Sequence, residues 1–447
     1  MAPFSTESIL LYRRGGYHPV HLRDRIYERY VIEHKLRHDS RSTTWVARDL
    51  KKNRLVSIRI FIAAVSEEGY TEAEVLFHLR PEPAPPRSVW QRLGGLWVQD
   101  QPKPQASFFP ALLDHFTISG PNGDHRCIVS EVLGNSIGDL MEDPVQEFEF
   151  PMNAARKIGV KMVHAVAELH SRQVVHGSLN PRKFSLTIPG VDSWTPEELR
   201  KYFGEPSKLI MQDLCNRHRF GGRRYEPRPS PQRPEYLVES PPLIQLTSLC
   251  LESPGIKITT FNTAFYYIEG DEVHKTILTQ PSFASPEIQC HDVLTPACDI
   301  WSLGCVLHHI FSNNYMWVPL TGCYQDTLID LTLCFAKLPE PWWSRWSDRA
   351  RYFNEYGHLM HHMAADGGAV PKGSDLISRI CYARMHREGV HGMGGEEFEW
   401  FRHVMIGIFR LLPSERFDAK EVVRYLPPRW LDEVEKDEGR KDEGRKK

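Results

Sequence analysis

The sequence predicts an α+β protein, from an alternating stretch in its first third and helical stretches further on. Leu55-Val56-Ser57-Ile58-Arg59-Ile60 alternates with period two, the pattern of a strand with one face covered. Ala154–Ser171 sets Ile158, Met162, Val163, Val166 and Leu169 at helical spacing, and Ile300–Phe311 is apolar on nearly all sides, as a helix buried within a core must be. At 447 residues, 41% of them hydrophobic, the chain is long enough for two domains of ordinary globular composition.

Charge and patterning remove several function classes. A formal net charge of -2 gives no basic excess for direct nucleic-acid binding. No apolar run approaches the roughly 20 residues that cross a bilayer. Residues 1–20 lack the apolar centre of a secretory signal, so an intracellular protein, cytoplasmic or nuclear, is expected. Nine cysteines, an odd number without CxxC spacing, are expected to be reduced thiols. His358, His361 and His362 have the spacing of helical metal ligands, but a solvated or core role is expected of them.

The chemistry-bearing stretch is Val175-His176-Gly177-Ser178-Leu179-Asn180-Pro181-Arg182-Lys183. It resembles the catalytic loop of protein kinases, H-R-D-x-x-x-x-N, whose aspartate accepts the substrate hydroxyl's proton and whose asparagine holds magnesium. Ser178 and Lys183 stand at those two positions, and Asn180 is a further altered one. A serine hydroxyl is not basic near neutral pH, and an ammonium repels a metal ion.

The other landmarks of that superfamily follow in order. Leu36–Asp49 resembles the glycine-rich loop and second strand, with every loop glycine replaced; Arg37 stands at the first glycine position and Asp39 at the second. Glycine is needed there because backbone N–H groups must approach phosphates closely. Ser57 and Arg59 share the face of the next strand on which a kinase sets an adenine-covering alanine and a phosphate-holding lysine. Arg59 is expected to pair with Glu72, in a helical stretch resembling the kinase C-helix, as a structural ion pair; a nucleotide-holding role is the alternative. Ile256–Ala264 resembles the strand and turn of D-F-G, with Thr260 for the aspartate. Thr44, Ser57 and Ser185 occupy positions that should offer apolar atoms to adenine. Together with Arg37, Asp39, Arg59, Glu72 and Thr260 they form a vestigial ATP site, and no cofactor, neither ATP nor magnesium, is expected.

The framework motifs are intact. Ser285-Pro286-Glu287 matches A-P-E, Asp299–Gly304 resembles the start of the central buried helix, and Arg416 lies where kinases keep the partner of that glutamate. Glu287 and Arg416 are therefore expected to pair, and His176, Phe261, Leu76 and Asp299 to organise the core.

Gly15–Val20 before Arg29-Tyr30, then Gly120–Val129, then Glu131–Gly134 are similar to the serine/arginine-protein kinase family, and the likeness runs from about Tyr17 to Trp430. The resemblance implies a two-lobed kinase-like fold, with a small β-rich N-lobe and a larger α-helical C-lobe. Its expected divisions are an N-terminal extension (1–16), an N-lobe (17–134, with a proline-rich insertion at about 81–106), a C-lobe (135–432, with a spacer at about 189–254) and a charged tail (433–447). Within the spacer, Arg223–Pro234 is basic, proline-rich and expected to be unstructured. The expected function is that of a catalytically inactive pseudokinase acting as a binding or allosteric scaffold. Its partner would be a protein, either arginine/serine-rich or another kinase. The alternatives are a divergent active serine/threonine kinase and a nucleotide-binding protein without phosphotransfer.

Overall fold

The computed structural model describes residues 6–66, 71–81, 91–93, 96–98, 107–142, 148–210, 219–220, 223–224, 230–241, 244–318, 323–360, 375–385 and 393–432. The rest of the insertion at 81–106, His361, His362 and the tail lie outside these residues.

The N-terminal lobe is an antiparallel sheet. A two-residue strand Arg25–Ile26 is followed in space by β1 (Tyr30–Asp39), β2 (Ser42–Asp49), β3 (Arg54–Phe61), β5 (Gly123–Ser130) and β4 (Leu112–Gly120). The alternation read from β3 is realised. Val56, Ile58 and Ile60 join Trp45 and Val129 in an outer cluster, while Leu55 and Phe61 belong to the inner core with Leu76 of helix α1 (Thr71–His78). Arg59 therefore shares its face with Ser57 and looks inward, toward the cleft between the lobes. β1 and β2 turn through Ser40 and Arg41, with Asp39 opposite Ser42.

The larger lobe is built on helix. In α2 (Met152–Ser171) the five expected core residues are all fully buried. Each such side chain contributes about 1.5–3 kcal/mol relative to exposure. A three-stranded sheet, β6 (Leu133–Ser136), β7 (Phe184–Thr187) and β10 (Ile256–Ile258), has β7 in the middle and forms the floor of the cleft. Helix α5 (Ala297–Ser312) is buried along every residue from Cys298 to Ser312, which accounts for its apolar circumference. Gly304 permits a close helix contact, because a Cβ there would lie 2.4 Å from Ile408 Cγ2 on helix α6 (Gly395–Ile408). No helix among the described residues is long and apolar enough to cross a membrane.

The spacer leaves at β7 and returns at β10, which pair antiparallel. It contains helix α3 (Pro196–Phe203), opened by a Thr195/Glu198 capping box, the strand pair β8 (Lys208–Ile210) and β9 (Tyr236–Val238), and helix α4 (Ile244–Glu252). Leu209 and Leu237 pack with Ile9, Tyr12 and Tyr17, and Val238 joins the outer face of the N-lobe sheet. At the described residues of Arg223–Pro234 this corrects the expectation of an unstructured stretch. Arg223–Arg224 pairs with Arg219–Phe220, and the turn at 230–234 is tied to the N-lobe by Asn122 Nδ2 donating to the Gln232 carbonyl at 2.8 Å. The apolar side chains Leu209 and Leu237 of the flanking strands are the anchors on either side, and residues 225–229 lie outside the description. The extension is likewise docked, with Glu7 taking both the Lys35 ammonium and the Tyr12 hydroxyl in a buried cluster.

Candidate functional site

The floor of the cleft is held by backbone-directed bonds. Asp299, at the first turn of α5, accepts the His176 N–H at 2.7 Å and the Gly177 N–H at 2.9 Å. Gly177 has φ 79°, and a Cβ on it would stand 2.7 Å from Ile277 Cδ1, so the loop requires glycine there. The His176 ring lies 5.4 Å from that of Phe261. Burial pushes the pKa of His176 down to about 4, which leaves it a neutral packing group at neutral pH.

Above the floor, three cations meet two carboxylates. Arg59 Nη1 donates to both oxygens of Glu72 at 3.0–3.1 Å, so the expected pair between strand and helix forms. Its Nη2 donates to Asp39 Oδ2 at 2.9 Å and its Nε to Ser42 Oγ at 2.8 Å. Asp39 thus reaches down from the β1–β2 hairpin onto the cation that a kinase reserves for phosphate. Burial acts to raise the Asp39 pKa, but Arg59, the Arg41 N–H, Ser42 and Lys183 outweigh it and hold the carboxyl below its ordinary range. Arg37 crosses from the same hairpin to donate to the Gly134 carbonyl at 3.2 Å, on β6.

Lys183, Thr260 and Ser178 are the residues that the kinase resemblance sets at the positions of the two metal ligands and the base. The Lys183 pKa is lowered to about 8 by burial and then by the nearby Arg59, opposed by Glu72 and Asp39. Thr260 has φ 68°, a backbone conformation that a β-branched residue rarely adopts. Ser178 Oγ donates to Thr279 Oγ1 at 2.8 Å, while the Thr279 N–H is bonded to the Tyr324 hydroxyl at 3.3 Å. Asn180 caps the short turn Pro181–Lys183 by accepting the Arg182 N–H. The base position is therefore joined to the segment preceding Pro286, a connection for which the sequence carries no local signal.

Thr44, Ser57 and Ser185 are all buried, and the Ser185 hydroxyl makes no hydrogen bond among the described residues. They give this wall of the cleft hydroxyls where a flat base is ordinarily met by apolar atoms. An ammonium and a neutral hydroxyl at the metal positions do not fit a hard divalent cation, which takes oxygen ligands, chiefly carboxylates. The Asp39–Arg59 bridge likewise does not fit a triphosphate, since a carboxylate already takes the charge that phosphate would need.

The curled N-terminal sheet, the cleft and the helical lobe with its Glu287–Arg416 and Asp299–His176 ties make up the two-lobed α+β fold of protein kinases. A solved kinase domain superposes with a TM-score of 0.56, covering 92% of this chain and 98% of its own at 14% identity, which shows the fold. No protein-family model matches the chain. It is 24% identical over 362 residues to a serine/threonine-protein kinase SRPK of Physarum polycephalum, covering 78% of this chain and 77% of that protein. It is 31% identical over 182 residues to the serine/threonine-protein kinase spk-1 of Caenorhabditis elegans, covering 40% of this chain and 16% of the relative. Human SRSF protein kinase 3 is 27% identical over 181 residues, with 40% of this chain and 29% of the relative covered. The chain thus resembles serine/arginine-protein kinases at modest identity, and its matches to the last two span less than a third of their lengths.

Proposed function

We propose that this chain is a pseudokinase, a kinase-fold protein without phosphotransfer that serves as a binding or allosteric scaffold. The observation that carries the reading is the Asp39–Arg59 bridge, which neutralises from within the cation that would otherwise hold nucleotide phosphate. Ser178, Lys183 and Thr260 add to it. A general base contributes on the order of 10²–10⁴ in rate, and one preorganised electrostatic contact about 10²–10³. Base and both metal ligands are replaced here while the framework is retained. The partner is a protein, and the family resemblance points to an arginine/serine-rich chain or another kinase.

Thermal unfolding with millimolar ATP, with and without magnesium, tests the reading, because a ligand of the folded state raises the melting temperature by mass action. No shift is expected in either case. A magnesium-dependent shift would overturn the proposal, and a magnesium-independent one would replace it with nucleotide binding without transfer.

A further inference from the structure

A concavity of about 240 Å³ lies between residues 11–17, Ser40 at the tip of the β1–β2 hairpin and Ile62 and Ala64 after β3, and Arg13, Arg14 and Ser40 contribute polar groups to its wall. None of these three side chains has a hydrogen bond or ion pair among the described residues, although most arginines of the N-lobe are paired. Among the described residues neither guanidinium has a carboxylate partner, while Asp39 is engaged by Arg59 and Glu7 by Lys35.

The backbone that presents them is fixed. Gly16 N–H donates to the Arg13 carbonyl at 2.7 Å, closing a turn, and a Cβ on Gly16 would lie 1.8 Å from the Leu11 carbonyl oxygen. The Ala63 and Ala64 N–H groups donate to the carbonyls of Gly16 and Gly15 at 3.1 and 2.9 Å. The Tyr17 hydroxyl donates to the Asp39 carbonyl at 2.6 Å, which ties the hairpin tip, and with it Ser40, to the same turn. The remaining wall includes the apolar Leu11, Ile62 and Ala64.

We infer that this concavity recognises a phosphate monoester. Two guanidinium forks and a hydroxyl supply the donors that a dianionic phosphate takes, and the apolar side suits the carbon attached to the ester oxygen. Its volume is below the roughly 300–1,000 Å³ typical of small-molecule sites, so it accommodates a head group and not a whole nucleotide. The ester belongs either to a phosphorylated serine or threonine of a protein or to a small free phosphate compound. Either one bridges the extension and the hairpin tip, one residue from Asp39. The inference stands apart from the reading of the cleft, since among the described residues the side chains of Arg13, Arg14 and Ser40 make no hydrogen bond or ion pair with Arg59 or Lys183.

Calorimetric titration of the full chain with a glycine-flanked phosphoserine peptide, its unphosphorylated twin and inorganic phosphate tests it. The phosphorylated probe should bind saturably at one site, more weakly as salt rises, and the twin should not. Arg13→Ala with Arg14→Ala should weaken binding by roughly tenfold or more, and Ser40→Ala by about threefold. The melting temperature of the free protein should not move, because both arginines are exposed. Ligand should also slow hydrogen exchange at residues 39–42. Tighter binding of the peptide than of inorganic phosphate supports recognition of a phosphorylated side chain, and equal binding shows that the ester carbon is not recognised and overturns the monoester assignment. Absence of saturable binding by either phosphorylated probe, or binding that survives the double arginine variant, overturns the proposal.

Discussion

Arg416 meets Glu287 in a bidentate pair, Nη1 to Oε1 at 2.8 Å and Nη2 to Oε2 at 3.2 Å, with neither side chain exposed to solvent. The remaining guanidinium donors reach the carbonyls of Ala297, Arg410 and Leu411, and the plane lies 5.1 Å from the Trp301 ring centre. One side chain thus joins the A-P-E turn, the start of α5 and the loop after α6. A fully satisfied buried pair of this kind need not outperform an apolar substitute, but removing one member leaves a charge without water or partner.

Arg416→Ala is therefore expected to cost about 3–5 kcal/mol. Ser178→Ala removes one hydroxyl bond and should cost about 0.5–1.5 kcal/mol. Thr260→Ala should cost no more, since its side chain makes no hydrogen bond among the described residues. Denaturant midpoints of the three variants decide the matter, and equal midpoints would contradict the role given to Arg416.

Thr260 offers a second test of stability. Its left-handed backbone conformation costs of order 1–3 kcal/mol in a residue with a branched Cβ, and glycine adopts it without that strain. After the entropy lost by a more flexible unfolded chain, Thr260→Gly should stabilise the protein by about 1 kcal/mol. A lower denaturant midpoint for Thr260→Gly than for the parent would show that the turn is not strained.

The frame was legible in the sequence because its residues act over short, stereotyped connections. Asp299 binds the backbone of the catalytic-loop residues, Glu287 needs one arginine, and β3 needs only alternation. The charge logic of the cleft was half legible. Asp39 could be placed facing the phosphate position, but that it closes on Arg59 depends on the hairpin geometry, and that Arg37 crosses to Gly134 depends on how the lobes meet. The stretch Arg223–Pro234 was misread because the strands that flank it, carrying Leu209 and Leu237, are only three residues long. Their partners Ile9, Tyr12 and Tyr17 lie almost 200 residues or more away, beyond the reach of any local pattern.

Acid should destabilise this protein from near-neutral pH downward. His18, His38, His176 and His309 each have a pKa lowered to about 4, in every case chiefly by burial. An unfolded histidine titrates near 6.5. Between about 6.5 and 4 the unfolded chain binds protons that the folded chain refuses, so stability is full above that window and falls as pH drops through it. His309 stacks on Tyr315 at 4.6 Å, and His309→Phe keeps the stacking while removing the proton. Urea midpoints from pH 7 to pH 4 should fall for the parent and fall less steeply for His309→Phe; parallel curves would exclude His309 as a contributor.

Restoring catalytic residues one at a time should not restore catalysis. Ser178→Asp supplies a base, but Lys183 still repels magnesium, Thr260 still cannot hold it, and Asp39 still occupies the Arg59 guanidinium. Each group acts only on a substrate that the others have positioned, so rate gains should appear together or not at all. The series to assay is Ser178→Asp alone, then with Lys183→Asn and Thr260→Asp, then with Arg59→Lys, Arg37→Gly and Asp39→Gly added, each against an arginine/serine-rich peptide. The first two proteins should be silent, because the hairpin carboxylate remains. Only the last removes the Asp39–Arg59 bridge and the Arg37–Gly134 crossing together. Turnover by the parent, or by Ser178→Asp alone, would mean that a base and a metal site exist elsewhere in the cleft and that the pseudokinase reading is wrong.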